Sequence, residues 1–196
     1  MHGTFFYKYG LFIGIFLVLA TGWMMYGMRN TMVLERLEST VNTRFQVINK
    51  YTKTQYLPDV KFAGPKGTIL SLKDFEGKHL ILNIWATWCS PCIEELPRLQ
   101  NLQQHYLGKD WNVIAVSIDS RKDIEKLIAF IDRYQLGRVA QYHDIQADLQ
   151  KSLPLEKLPV TYIINKRGRI HYQIYGSAVW DAPDIIEFLD YVAKVK

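Results

Sequence analysis

The stretch Leu80-Ile81-Leu82-Asn83-Ile84-Trp85-Ala86 constrains the fold more than any other part of the chain. It is a nearly unbroken apolar run of strand length, which is the pattern of a strand covered on both faces. Thr87-Trp88-Cys89-Ser90-Pro91-Cys92 follows directly, and a helical pattern then runs from about Pro91 to Leu107, where Gly108 ends it. A buried strand that turns into a helix through a Cys-x-x-Cys leaves few architectures open. Cys89 and Cys92 are the only two cysteines of the 196 residues, too few for a disulfide-stapled scaffold. No second Cys pair or His-x-x-x-His completes a zinc finger or ribbon.

The flanking sequence repeats the strand–helix alternation. Val60-Lys61-Phe62 and Thr68-Ile69-Leu70-Ser71-Leu72 surround the turn signal Gly64-Pro65-Lys66-Gly67 and predict a hairpin. Trp111 to Ile118 reads as another buried strand. Lys122 to Tyr134 reads as a helix with Ile124, Leu127, Ile128 and Ile131 turned inward. Val160 to Ile164 and Ile170 to Tyr175 form a second hairpin around Asn165-Lys166-Arg167-Gly168, and Pro183 to Val195 closes the chain as a helix with proline in its first turn. This order predicts an α/β fold, helices flanking one mixed sheet. The charge excess is only +5, with no run of five or six consecutive Lys/Arg residues, so a nucleic-acid face is not expected.

Ahead of this domain the composition changes. Tyr9 to Met28 carries no charge and matches the roughly 20 apolar residues that cross a bilayer as a helix. Residues 1–29 are therefore expected to be an uncleaved signal anchor. Ala20-Thr21-Gly22 resembles a small-x-small cleavage site, but the apolar run continues past it through Trp23. Residues 30–56 carry an apolar stripe at Val33, Leu37, Val41, Phe45 and Ile48, the spacing of an amphipathic helix, and are expected to form a helical stalk. Residues 57–196 are expected to be the folded domain.

The cysteine pair carries the chemistry. At a helix start the unpaired N–H groups and the dipole favour an anion, so Cys89 is expected to be the thiolate nucleophile. Pro91 suits the first turn, where its missing N–H costs little. Cys92, one turn in, would be the resolving thiol. A structural disulfide or a metal pair is the plainer alternative.

Gly77-Lys78-His79-Leu80 through Cys89-Ser90-Pro91-Cys92-Ile93-Glu94-Glu95-Leu96-Pro97 resembles the membrane-anchored thioredoxin-like proteins of the TlpA/ResA type, and the resemblance extends over about residues 57–195. It implies a thioredoxin-like mixed sheet with an N-terminal hairpin, and a helix-and-strand insertion between Ile118 and Pro159. It also implies an extracytoplasmic thiol–disulfide oxidoreductase whose redox pair is Cys89 and Cys92, with no cofactor beyond that disulfide. Leu158-Pro159-Val160-Thr161 resembles the loop whose cis-proline faces the pair; an ordinary trans proline at a strand start is the alternative. Asn83 stands where cytosolic thioredoxins carry a buried Asp, which leaves the base for Cys92 open. Glu95 is a candidate because it lies three residues after Cys92 on a nearby helix face; the alternative is a solvated surface Glu. Trp88 is expected beside the thiols and Trp85 in the core. Pro97 is expected to bend the helix, and Asp119 and Asp144 to begin turns or cap helices. No histidine is assigned a ligand role, and no metal is expected.

The resulting expectation is a reductant at the bacterial inner membrane, its domain on the periplasmic side. Its partners would be protein disulfides, in an apocytochrome or a copper-site protein, and a membrane thiol reductase would supply its electrons. An oxidase would use the same residues in reverse. A copper metallochaperone, since two thiolates suit Cu(I), and a peroxidase are the alternatives from other classes.

Overall fold

The computed structural model describes residues 3–43, 45, 47–51, 55–140 and 142–194, with the side chains of residues 3–15, 30, 34, 41, 42 and 47 outside that description. The chain divides into two compact units, Met1–Thr40 and Val41–Lys196.

The first unit is one helix, α1, which spans Gly3–Asn42. Among the described residues no helix is long and apolar enough to cross a membrane, so the expected span over Tyr9–Met28 is not borne out there. Thr21, Gly22, Tyr26 and Gly27 dilute the described part of the run, and residues 9–15 of it fall among the side chains outside the description. Those that are described stand open: Phe16 is 71% exposed and Trp23 80%.

The expected stalk needs correction. The helix stops at Asn42, Phe45 is buried, and Val47–Lys50 is a strand, β1, rather than more helix. The stripe positions Phe45 and Ile48 belong to the second unit for a physical reason. Phe45 packs its ring 5.3 Å from that of the buried Trp180, and Ile48 pairs with Ile174 in the sheet. The side chain of Val41 and residues 44, 46 and 52–54 of the expected stalk lie outside what is described.

The second unit is built on one sheet. Its strands are β1, β2 (Lys61–Ala63), β3 (Ile69–Ser71), β4 (His79–Trp85), β5 (Trp111–Ser117), β6 (Tyr142–His143), β7 (Val160–Ile164) and β8 (Ile170–Tyr175). Their spatial order is β1-β8-β7-β4-β5-β6-β2-β3. β4 is central, parallel to β5 and antiparallel to β7, and every one of its residues is buried. That is why its sequence shows an apolar run instead of alternation. Helices α2 (Ser90–His105), α3 (Ile124–Arg133), α4 (Asp148–Ser152) and α5 (Pro183–Val192) complete the unit. The mixed sheet, both hairpins and the β6–α4 insertion before Pro159 match the sequence expectation.

Two details differ from that expectation or extend it. Ile128 was expected to face inward but is 54% exposed, whereas α3 buries Leu127 and Ile131 as expected. Gly108 ends the α2 segment at φ +77°, a conformation that a Cβ would strain.

Candidate active site

β4 delivers the chain to the cysteine pair. Its fully buried residues fix Trp85 and Ala86, and the backbone then turns so that Cys89 becomes the N-cap of α2 with Pro91 in the first turn. Cys89 and Cys92 are joined in a disulfide with their Cα atoms 5.3 Å apart. Cys89 keeps 7% of its surface open while Cys92 keeps none. The cysteine at the helix start is thus partly open and the one a turn further in is sealed.

Cys89 opens into a shallow groove of about 510 Å³, lined on one side by Trp88, Ser90 and Pro91 and on the other by Leu155, Glu156, Lys157 and Leu158. Trp88 is 70% exposed, which excludes a core role for it, whereas Trp85 is wholly buried as expected. The Leu158–Pro159 peptide is cis, and Pro159 leads directly into β7. α2 continues across Pro97 to His105.

Glu95 is not a surface residue. It is 1% exposed, beneath the first turns of α2 and on the same helical face as Cys92. Its Oε1 accepts from Asn83 Nδ2 at 2.8 Å. Its Oε2 accepts from the Ala178 backbone N–H at 3.0 Å and from Trp180 Nε1 at 2.7 Å. Burial pushes its pKa up from 4.5 to about 7, and the hydrogen bonds from Trp180, Ala178 and Asn83 offset part of that rise. A carboxyl with its pKa near neutrality, one helical turn from Cys92, is of a kind that exchanges protons near pH 7. Asn83 on β4 hands its amide to this carboxyl on α2. Asn83 Nδ2 also donates to Thr161 Oγ1 at 2.9 Å, which links β4 to the strand after Pro159.

The sequence reading missed Ala178 and Trp180. They reach Glu95 from a loop more than eighty positions away, and nothing local to them signals it. Asp119, expected to begin a turn or cap a helix, lies just after the end of β5 and caps none. Its carboxylate accepts from the Thr87 backbone N–H at 3.0 Å, from Thr87 Oγ1 at 2.6 Å and from Ser117 Oγ at 2.6 Å. It thereby pins the backbone two residues ahead of Cys89. Asp144 does act as a cap, accepting from the Leu149 and Gln150 N–H groups of α4. His143 Nε2 lies 2.7 Å from the Asp119 carbonyl oxygen. Among the described residues no group of three or more His, Cys, Asp or Glu side chains could hold a metal.

Comparison with known proteins places this geometry. The chain is 35% identical over 112 residues to the thiol-disulfide oxidoreductase ResA of Oceanobacillus iheyensis, covering 57% of each sequence. It is 37% identical over 119 residues to the thioredoxin-like protein YneN of Bacillus subtilis, covering 59% of this chain and 67% of that one. The match therefore spans just over half of the ResA relative's own length. Among solved structures, a secreted thiol-disulfide isomerase from Corynebacterium glutamicum superposes with a TM-score of 0.58 at 25% identity, over 74% of this chain and 93% of that one. A DsbF homologue from Corynebacterium diphtheriae shares the fold with a TM-score of 0.59 at 22% identity, over 74% of this chain and 92% of that one. The AhpC/TSA family model matches residues 54–173, from just before the N-terminal hairpin to β8 and across both cysteines. The chain belongs to the AhpC/TSA family, in its thioredoxin-like, ResA-related branch.

Proposed function

We propose that this protein is a thiol–disulfide oxidoreductase that reduces disulfides in partner proteins outside the cytoplasm. The observation that carries the reading is the asymmetry of the pair: Cys89 lining an open groove, Cys92 sealed one helical turn from a buried carboxyl.

In the reduced protein the Cys89 thiolate attacks one sulfur of the partner's disulfide. A mixed disulfide forms and the partner's other sulfur leaves as a thiolate. The Glu95 carboxylate takes the proton of the Cys92 thiol, and Cys92 Sγ then attacks Cys89 Sγ. The Cys89–Cys92 disulfide closes, the partner's second sulfur departs, and two electrons have passed to the partner with its thiolates taking up protons. The start of α2 stabilises the Cys89 thiolate before attack. Trp88, Pro91 and the loop at Pro159 shape the groove in which a partner segment lies. A proline at position 159 offers no N–H there to compete with the partner's backbone.

The relatives named as thiol-disulfide oxidoreductases support this activity, and the TlpA/ResA resemblance supports cytochrome c maturation or copper-site assembly as its setting. A membrane thiol reductase would return electrons through the same pair. The TlpA/ResA resemblance supports attachment to the bacterial inner membrane, with the domain on the periplasmic side. Insulin reduction driven by dithiothreitol tests the activity. Wild type should precipitate insulin chains far faster than the buffer does, and Cys89→Ser should not. Equal rates for the two would overturn the reading.

A further inference from the structure

The wall of the groove across from Trp88 is made by residues 155–158, which belong to no helix or strand, and Pro154 leads directly into it. Behind it, on one face of the sheet, lies a polar cluster that disulfide exchange as described above does not use. Gln173 of β8 sits opposite Tyr162 of β7 and Asn49 of β1 in the sheet register. Its Nε2 is 2.9 Å from the Tyr162 hydroxyl, 2.8 Å from the Tyr175 hydroxyl and 3.2 Å from the Pro154 carbonyl oxygen. The Tyr51 hydroxyl donates to its Oε1 at 3.2 Å. The Tyr162 and Tyr175 hydroxyls also reach the Pro154 carbonyl, at 2.9 and 3.3 Å.

Three side-chain donors thus converge on one backbone oxygen at the start of the groove wall. Gln173 and Tyr162 are buried, and burying polar atoms costs free energy unless they are paired. An apolar set would fill the same space without that cost. What the polar set adds is a fixed position for Pro154. Tyr175 holds the wall a second time further along, with Lys157 Nζ 5.7 Å from its ring centroid.

We propose that Gln173, with Tyr162 and Tyr175, is a positioning residue that, by holding Pro154, clamps the 155–158 wall at the distance from Trp88 and Cys89 that a protein substrate needs. The clamp acts on docking and not on the sulfur chemistry, since none of its members touches Cys89 or Cys92. It rests on the proposed reduction of protein disulfides at this groove. A small disulfide needs only Cys89, whereas an extended protein segment must lie along the wall. The cluster therefore raises affinity for protein substrates alone.

The test compares Gln173→Leu with wild type on two substrates, insulin and the small aromatic disulfide dithionitrobenzoate. Loss of the clamp is expected to raise the KM for insulin about five- to thirty-fold, the factor that corresponds to losing one or two net hydrogen bonds. The rate with dithionitrobenzoate and the reduction potential of the pair should stay at wild-type values. Tyr162→Phe, which removes a single hydroxyl, should show the same split to a smaller degree. It serves if Gln173→Leu fails to fold by circular dichroism. Amide hydrogen exchange at residues 155–158 should quicken in both variants. An unchanged KM, or equal losses on the two substrates, would overturn the clamp. A wild-type protein inert towards insulin would instead overturn the function on which it rests.

Discussion

Replacing Glu95 by Gln removes one titratable group and keeps nearly the same shape, so it isolates what the buried carboxyl contributes. Glu95 has its pKa pushed from 4.5 to about 7 by burial. Below pH 4.5 the folded and unfolded chains both hold the proton. Between 4.5 and 7 the folded chain holds it and the unfolded chain does not, so stability falls as pH rises through this window. Above 7 the loss is complete and the curve is flat. The shift corresponds to a loss of about 3 kcal/mol over the whole window, at about 1.36 kcal/mol per pKa unit. The glutamine variant has no such dependence. Its amide can also be accommodated, because Asn83 Oδ1 is buried with no hydrogen-bond partner among the described residues and could rotate to accept from it. Urea unfolding of the oxidised full-length protein, followed by tryptophan fluorescence at pH 5 and pH 8, measures the difference directly. Wild type should lose about 2–3 kcal/mol more than Glu95→Gln between the two values, since a small part of the loss has already occurred at pH 5. Parallel curves for the two proteins would refute the buried, raised carboxyl, and with it the assignment of Glu95 as proton acceptor for Cys92.

Trp180→Phe removes a donor that lowers the pKa of Glu95, so the upper end of the pH-dependent stability loss should move upward from about 7. An unmoved upper end in the same unfolding experiment would contradict the contact. Asp119→Ala leaves the Thr87 N–H and the Thr87 and Ser117 hydroxyls without their acceptor. It should cost about 1–3 kcal/mol for the Ser117 hydroxyl, left buried and unsatisfied, and less for the half-buried Thr87 donors, read as a lower urea midpoint, and should slow insulin reduction because the approach to Cys89 loosens.

The sequence exposes those parts of this molecule that are local. The apolar run of β4, the N-cap at Cys89, the turns around the two hairpins and the glycine that ends the α2 segment each follow from a few neighbouring residues, and all are found in place. What stayed hidden depends on long-range packing. Glu95 on an amphipathic helix reads equally well as a solvated face; its burial comes from the Ala178–Trp180 loop closing over it. Asp119 looks like a strand-end cap until the fold brings Thr87 beside it. Phe45 and Ile48 keep helical spacing with Val33 and Leu37, yet Phe45 packs on Trp180 and Ile48 pairs with β8, and periodicity cannot separate the two outcomes. Gln173 alternates along β8 like any strand residue, and only the return of the chain at Pro154 gives it and the Tyr162 and Tyr175 hydroxyls a shared acceptor.

The most direct test of the account is trapping. Cys92→Ser leaves Cys89 to attack a partner with no resolving thiol beneath it, so the mixed disulfide should persist. Expressed in bacteria, quenched in acid and run without reductant, the variant should migrate as higher-mass adducts that dithiothreitol dissolves. Mass spectrometry should place the linkage on Cys89. Cys89→Ser should give none, because Cys92 is sealed from its surroundings. Equal trapping by both variants, or adducts on Cys92 alone, would contradict the assignment of the two sulfurs and the mechanism built on it.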